Sequence, residues 1–495
     1  MPCSVAGARL MFRTRAADLL WPTADYVFGD LLGAAWLSEA VIPFGSIRFH
    51  LLAGLGVQPY TKSMTRKAAA IDVGSESMHV GIDGQQEVKI FECFTDSLHQ
   101  LRDYLLEQQV TTVAMEATGV YWLPPFDILE AAGLEVVVVN GAHVKNVPGR
   151  KTDVQDCQWL AHLHGRGLLQ SGFVPPAKVR KLRSYVRLRQ EHVANGARHV
   201  LHMQKAMDLM NIKLHEVLSQ TIGRSCLRMV RAIVEGQRHP ELLLGLCEVD
   251  VQRRKRKEVL RALQGTWDPE HLFSLKQALQ AWDFFQGQIA ACDAEIAQVL
   301  AALAADQAPL PPTQTPTMKK RQGNSPEIPQ LEQLMQQITG ADLSALPCIT
   351  AYSQMLLLAE VGTDMSRWPT HKHFVSWLGL SPGSRQSGKR RKNQKRHRGV
   401  AGKIFCVLVR TLGRSKYLAI SGFYRRIKAK HGAQVANIAC ARKIAVLFYN
   451  ALRYGLKYVE QGLEQYEKQY KERTLKGLRK AAARLGYALT DQAVA

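Results

Sequence analysis

The sequence predicts an α/β domain, then a long α-helical middle, then a mainly α C-terminal domain. Three observations carry this expectation. Apolar, β-rich runs alternate with helical patterns between residues 67 and 170. Two long helical stretches then fill 176–307, and a proline-rich segment sets off a second module. With 495 residues and 46% hydrophobic content, the chain is long enough for two to four domains with cores of their own.

Charge narrows the class. Lys and Arg number 65 against 42 Asp and Glu, a formal net charge of +23, which points to a polyanionic partner and most simply to nucleic acid. Nine cysteines, an odd number with no CxxC or Cys/His metal spacing, read as structural thiols in a reducing cytoplasm. No apolar run reads as long and uninterrupted enough to span a bilayer, so no membrane partner is expected.

Residues 1–63 are rich in Leu, Ala, Gly and Trp but show no stable period. Asp18, Asp25 and Asp30 interrupt what would otherwise be the apolar part of a secretion signal. The stretch reads as an atypical extension in front of a natural start at Met64, or as a genuine but unusual N-terminus. The domain at 64–175 follows. Strands are expected at 68–73, 78–83 and 88–94, a helix at 95–109, a strand at 110–115, a helix at 121–132, a strand at 134–140 and a helix from about 152. The run Leu-Glu-Val-Val-Val-Val at 134–139 has the composition of a strand buried on both faces. Three strands in a meander followed by βαβα is the order of an RNase H-like α/β fold.

That order gives meaning to four acids. Asp72 and Glu116 each stand where an apolar strand stops, and Asp153 and Asp156, three apart, share one face of the following helix. Carboxylates gathered this way repel one another unless a cation lies between them. Hard oxygen donors favour Mg²⁺ or Mn²⁺, and in a basic protein the natural chemistry is metal-assisted phosphodiester cleavage.

In the middle, 176–307, a basic helix runs from 179 to about 217 and carries Arg180, Lys181, Arg183, Arg187, Arg189, Arg198 and Lys205. A second, apolar helix runs from 269 to 305, and the two read as an antiparallel coiled coil used for spacing or dimerisation. The basic face of the first also reads as a phosphate track or a solvated surface. Six prolines within 308–329 mark a linker.

The C-terminal domain, 330–460, opens with a helix-hairpin-helix-like element around Leu346-Pro347-Cys348-Ile349-Thr350, in which Cys348 and Thr350 stand where glycines would be expected. An apolar helix then gives way at Gly379 and Pro382 to a loop bearing Ser387-Gly388 and dense cations. Two readings stay open: Ser387 as a nucleophile toward phosphorus, or as a bystander in a phosphate-binding loop. Lys389, Arg390, Arg391, Lys392, Lys395, Arg396 and Arg398 are the candidate nucleic-acid contacts, and 461–495 forms a basic helical tail.

Here a family resemblance becomes specific. The segments Ala-Ile-Asp72-Val-Gly, Met-Glu116-Ala-Thr-Gly-Val-Tyr-Trp and Lys-Thr-Asp153-Val-Gln-Asp156-Cys-Gln-Trp-Leu-Ala resemble the RuvC-like domain of IS110/IS1111 transposases. Trp-Leu-Gly-Leu-Ser-Pro382 followed by Ser387-Gly388-Lys389 resembles that family's second domain, whose catalytic serine lies five residues after the proline. The resemblance covers about 67–455. It implies recombination of an insertion sequence through a serine-linked DNA intermediate, with the acid set holding metal. It further implies a composite site from two subunits, a tetramer of synaptic dimers, and a guide RNA encoded by the element. Two departures are the hairpin turn at Cys348 and Thr350 and the single glycine after Ser387. A metal-dependent nuclease using activated water, and a non-catalytic nucleic-acid-binding relic, are the alternatives the residues leave open.

Overall fold

The computed structural model describes residues 67–139, 152–307, 323–382, 384–387, 390–393, 397–415, 418–455 and 463–489. The extension 1–63, Met64, the linker residues 308–322, and Lys389, Lys395 and Arg396 lie outside the described residues. The chain divides into two compact units between Gly172 and Phe173.

The first unit is built on a five-stranded mixed sheet in the order β3-β2-β1-β4-β5. Strands β1 (Ala68–Val73), β2 (Ser77–Ile82) and β3 (Val88–Glu92) form an antiparallel meander. Strands β4 (Thr112–Glu116) and β5 (Glu135–Val139) then add in parallel beside β1. Parallel neighbours need a crossover, supplied here by helices α1 (Thr95–Glu107) and α2 (Leu123–Ala131). Helix α3 (Asp153–Gly165) packs on β1, β2 and β4. The elements expected in this unit are all present, with ends displaced by at most two residues.

One burial expectation is corrected. The valine run of β5 is not covered on both faces: Glu135 is exposed, Val136 and Val137 are half-buried, and only Val138 and Val139 are buried. The reason is topological, because β5 is the edge strand and its valines report β propensity as well as depth. The doubly covered strands are β1 and β4, where Ala68, Ala69, Ala70 and Ile71 and then Val113, Ala114 and Met115 are buried.

The second unit begins with two long helices, α4 (Ala177–Leu209) and α6 (Pro269–Ala305), with α5 (Arg224–Val234) between them in sequence. They run antiparallel. Lys178 meets Asp306, Arg189 meets Asp293, His199 stacks on Phe285, and Ala206 shares a core cluster with Ala278. One end of this hairpin packs Met203, Met207, Leu275 and Leu279 against Met229 and Ile233 of α5. The other end packs Leu182, Val186, Ile296 and Leu300 against α7 (Leu331–Thr339) and α8 (Ala351–Val361). Helix α4 stops at Leu209, short of the expected 217, because Met210 and Ile212 turn into the core and Asn211 takes a left-handed conformation at φ 55°.

The basic face of α4 is largely committed to the protein. Arg189 is 1% exposed and is paired in two contacts with Asp293, itself 4% exposed. Arg189 Nη1 also donates to the Asn324 carbonyl at 3.0 Å, and the Glu327 amide donates to Asp293 at 3.0 Å. The end of the proline-rich segment is thereby tied to the hairpin, with Ile328 buried beside it. Arg187 holds Glu360 of α8 in a fork of two 2.9 Å bonds, and Arg183 donates to the Glu360 carbonyl at 2.7 Å.

The remaining core gathers α8, α9 (His371–Trp377), α10 (Val400–Leu408), α11 (Ala419–His431) and α12 (Ala433–Tyr454) around Phe374, Phe405 and Phe448. Helix α13 (Leu463–Arg484) follows. By length and composition alone α6 and α12 are apolar enough to cross a membrane, a feature the sequence reading passed over. Each buries one face in the cores described: α6 carries the buried Asp293, and α12 carries Tyr449, whose hydroxyl donates to the Trp368 carbonyl at 2.7 Å.

Removing one partner of a buried ion pair leaves the other uncompensated, at a cost of about 3–5 kcal/mol. Asp293→Ala is expected to lose stability on that scale in urea denaturation, whereas the joint replacement Arg189→Met with Asp293→Leu is expected to stay near the wild-type value.

Candidate catalytic carboxylates and the serine hairpin

Asp72 is the half-buried penultimate residue of β1, and Glu116 ends β4. The parallel register pairs Ile71 with Met115, so the two acids follow at the same level on neighbouring strands. Asp153 and Asp156 occupy the first turn of α3, both exposed, behind a Thr152 N-cap whose hydroxyl accepts from the Gln155 amide at 3.3 Å. Anions are favoured at this positive end of a helix. Burial raises the Asp72 carboxyl above its ordinary value, and Asp153, Glu116 and Asp156 each raise it further by repulsion. The four acids predicted from sequence therefore lie within electrostatic reach of one another.

They are gathered but not clenched. Among the described residues, the set of three ligand atoms all within 4.8 Å of one another is Asp208, His215 and Glu216 on the helical hairpin. There Lys213 already holds Asp208 at 2.6 Å, which makes that set an internally neutralised surface cluster.

What fixes α3 over the sheet was not read from the sequence. Cys157, the residue after Asp156, is buried with its thiol 3.4 Å from the Ala70 carbonyl and 3.1 Å from that of His79. A side chain at Gly81 would bring its Cβ to 3.2 Å from Cys157 Sγ, so glycine lets the helix seat there. Ala70 and Ala114 on the sheet meet Leu160 and Ala161 on the helix. At the far end His164 Nε2 lies 2.9 Å from Thr112 Oγ1, and His162 lies 3.5 Å from Asp83. Burial lowers the His164 pKa below the ordinary imidazole value. His79 is the direct cross-strand partner of Asp72 and acts against the repulsion there. A glycine inside a strand and a cysteine abutting the acid pair were the available sequence signals.

Around Ser387 the structure differs from the expected loop. Ser384–Ser387 (β6) and Arg390–Asn393 (β7) form an antiparallel hairpin in which Ser387 pairs with Arg390. Arg390, Arg391 and Lys392 lie on β7. Gly379, before the hairpin, has φ 70°, and a Cβ there would fall 2.5 Å from the carbonyl of His397, beyond it. Arg398, expected at nucleic acid, is half-buried with its side chain hydrogen-bonded to Cys406. At the helix-hairpin-helix-like turn Cys348 itself adopts φ 64°, the conformation glycine would favour. Thr350 and Ser353 satisfy each other's amides in a capping box, which removes two donors that a DNA phosphate would need.

Residues 69–212 match a family model for the DEDD domain of IS110 transposases, and residues 341–415 match one described as transposase, IS116/IS110/IS902 family. The first match contains all four acids and the second contains the serine hairpin. Comparison with curated proteins gave no match. The sheet with its acids and the helical module with its hairpin are thus the two domains of a transposase. The chain is a member of the IS110 family.

Burial pushes the Cys157 thiol up to about 12, so it is uncharged at ordinary pH. Only the thiolate alkylates readily. Cys157 is expected to resist iodoacetamide at pH 8 in the folded protein and to react after urea unfolding, as read by peptide mass spectrometry.

Proposed function

We propose that the chain cuts and rejoins DNA by transesterification at Ser387, with the RuvC-like domain of one subunit and the serine-bearing domain of another acting on one phosphate. The observation that carries this reading is the convergence of Asp72, Glu116, Asp153 and Asp156 at one end of the sheet, in a family whose DEDD domain points to divalent metal use. The donor set is all carboxylate oxygen around a half-buried Asp72 whose charge is disfavoured, which fits a hard divalent cation, Mg²⁺ or Mn²⁺. Those four residues would hold it, and when bound it supplies Lewis-acid polarisation of a phosphoryl oxygen. The meander followed by two parallel additions supports the RuvC-like assignment.

Ser387 Oγ attacks phosphorus, forming the P–Oγ bond as the P–O3′ bond breaks. The serine proton is lost, the departing 3′ oxygen takes one up, and the products are a 5′-phosphoseryl link and a free 3′-OH. The phosphodiester energy stays in the serine ester, so religation by another 3′-OH needs no nucleotide. Arg390 and Arg391, on the strand beside Ser387, supply positive charge for the pentavalent state. A guide RNA encoded by the element selects donor and target DNA, and the long antiparallel hairpin of α4 and α6, read as a coiled coil, joins subunits into the dimer or tetramer that synapsis requires.

The test is covalent trapping on denaturing gels with the element's end DNA, its flanking RNA and Mg²⁺. A protein–DNA adduct lost with Ser387→Ala, with Asp156→Ala and with EDTA is the expected outcome. Nicked DNA without an adduct, persisting in Ser387→Ala, would instead assign a nuclease that uses metal-activated water.

A further inference from the structure

Helix α13 lies beyond both matched segments, and neither the carboxylate site nor the serine hairpin uses it. Its first two turns are clamped to α11. Tyr466 is buried, its hydroxyl accepts from Arg426 Nη1 at 2.9 Å, and the same guanidinium lies 3.2 Å from the centre of the Tyr470 ring. Beyond that clamp, residues 471–489 are exposed save for half-buried Leu475 and Ala482. A helix so long and so little buried gains scant stability from its own fold, and its sequence is amphipathic in an unusual sense. At about 100° per residue, Lys468, Arg473, Lys476, Arg479, Lys480 and Arg484 fall within one arc of roughly 160°, with Glu472 its single acid. Leu475, Leu478, Ala481, Ala482 and Leu485 take the other side, where Glu467 and Lys471 are the charged residues among them.

We infer that this arc is an arm that binds duplex DNA through its phosphates, sitting in the major groove. Three features select that partner. The cations extend over about 24 Å of helix axis at 1.5 Å per residue, enough to meet phosphates on both walls of a groove. The B-form major groove admits an α-helix, whereas the A-form groove of duplex RNA is too deep and narrow. Between 468 and 484 the arc is made of cations apart from Glu472, Ala483 and Gln469, which is half-buried and accepts from Arg473 at 3.3 Å, while the exposed Gln465 lies on the same face one turn before it, so charge dominates the surface offered. The arm deepens the DNA-acting reading above and rests on it only for the partner, since binding needs no chemistry.

The test measures equilibrium binding of the full chain to random-sequence duplex DNA across salt concentrations. The variant carries Lys468→Gln, Lys476→Gln, Arg479→Gln, Lys480→Gln and Arg484→Gln, which keep helix propensity. Each lost phosphate contact lowers the slope of log K against log salt by about 0.9. The expected result is a slope shallower by about 3 or more and affinity down at least about tenfold near 0.15 M salt. Far-UV circular dichroism is to be unchanged, and a variant with Arg at all five of these positions restores the slope. An unaltered slope on duplex DNA overturns the inference. So does an equal loss on duplex RNA of the same length. So does intact DNA binding with loss of binding to anionic phosphatidylserine vesicles, which would assign the helix to a lipid surface. Adduct formation at saturating DNA and low salt is expected to persist in the Gln variant, so failure of the serine chemistry and failure of the arm are told apart.

Discussion

The seating of α3 on the central strands is the constraint on which the first unit's site depends. Like charges do not gather unaided, and here the packing holds them together. Cys157 enters between β1 and β2 opposite Gly81, and Leu160 and Ala161 meet Ala70 and Ala114. Apolar burial along that face is the favourable term, and the repulsion felt by Asp72 is the unfavourable one. A fold that spends packing energy to hold four acids in reach of each other is strained in the way functional sites are.

A different logic holds the second unit together. Its two long helices are apolar at both ends and ionic in the middle, where Arg189 and Asp293 are buried with each other and with backbone groups at Asn324 and Glu327. Arg183 and Arg187 then bind α8 through Glu360. Charges that composition assigns to a polyanion are in fact spent on fixing helices. The overall charge of +23 thus overstates the surface available to nucleic acid on α4 and makes the exposed cations of α13 more informative.

Most of the fold was legible in the sequence because each element announces itself locally. Thr152 caps α3, Pro269 opens α6, Gly362 and Gly379 close α8 and α9, and Asp72 and Glu116 mark the ends of strands. The acid set was legible for the same reason. What was not legible depends on contacts distant in sequence. The valines of β5 read as deeply buried, but strand order makes them an edge. Ser387 read as loop, since a polar hairpin of Ser, Arg, Gln and Lys lacks the alternation that marks a half-buried strand. Arg189 read as surface because only its partner 104 residues away explains its burial. Cys157 gave no sign of its role, which is set by His79 and Ala70 across the sheet.

The claim that packing holds these acids against their own repulsion, ready for a divalent cation, is tested most directly by thermal unfolding of wild type and Asp72→Asn, each in EDTA and in Mg²⁺. Removing one charge relieves repulsion, so in EDTA the variant is expected to melt above wild type. Mg²⁺ is expected to stabilise wild type, since a ligand that binds only the folded state at about 100 times its Kd contributes about 2.7 kcal/mol, and to do little for the variant. A variant no more stable than wild type in EDTA, with the same response to Mg²⁺, would contradict it.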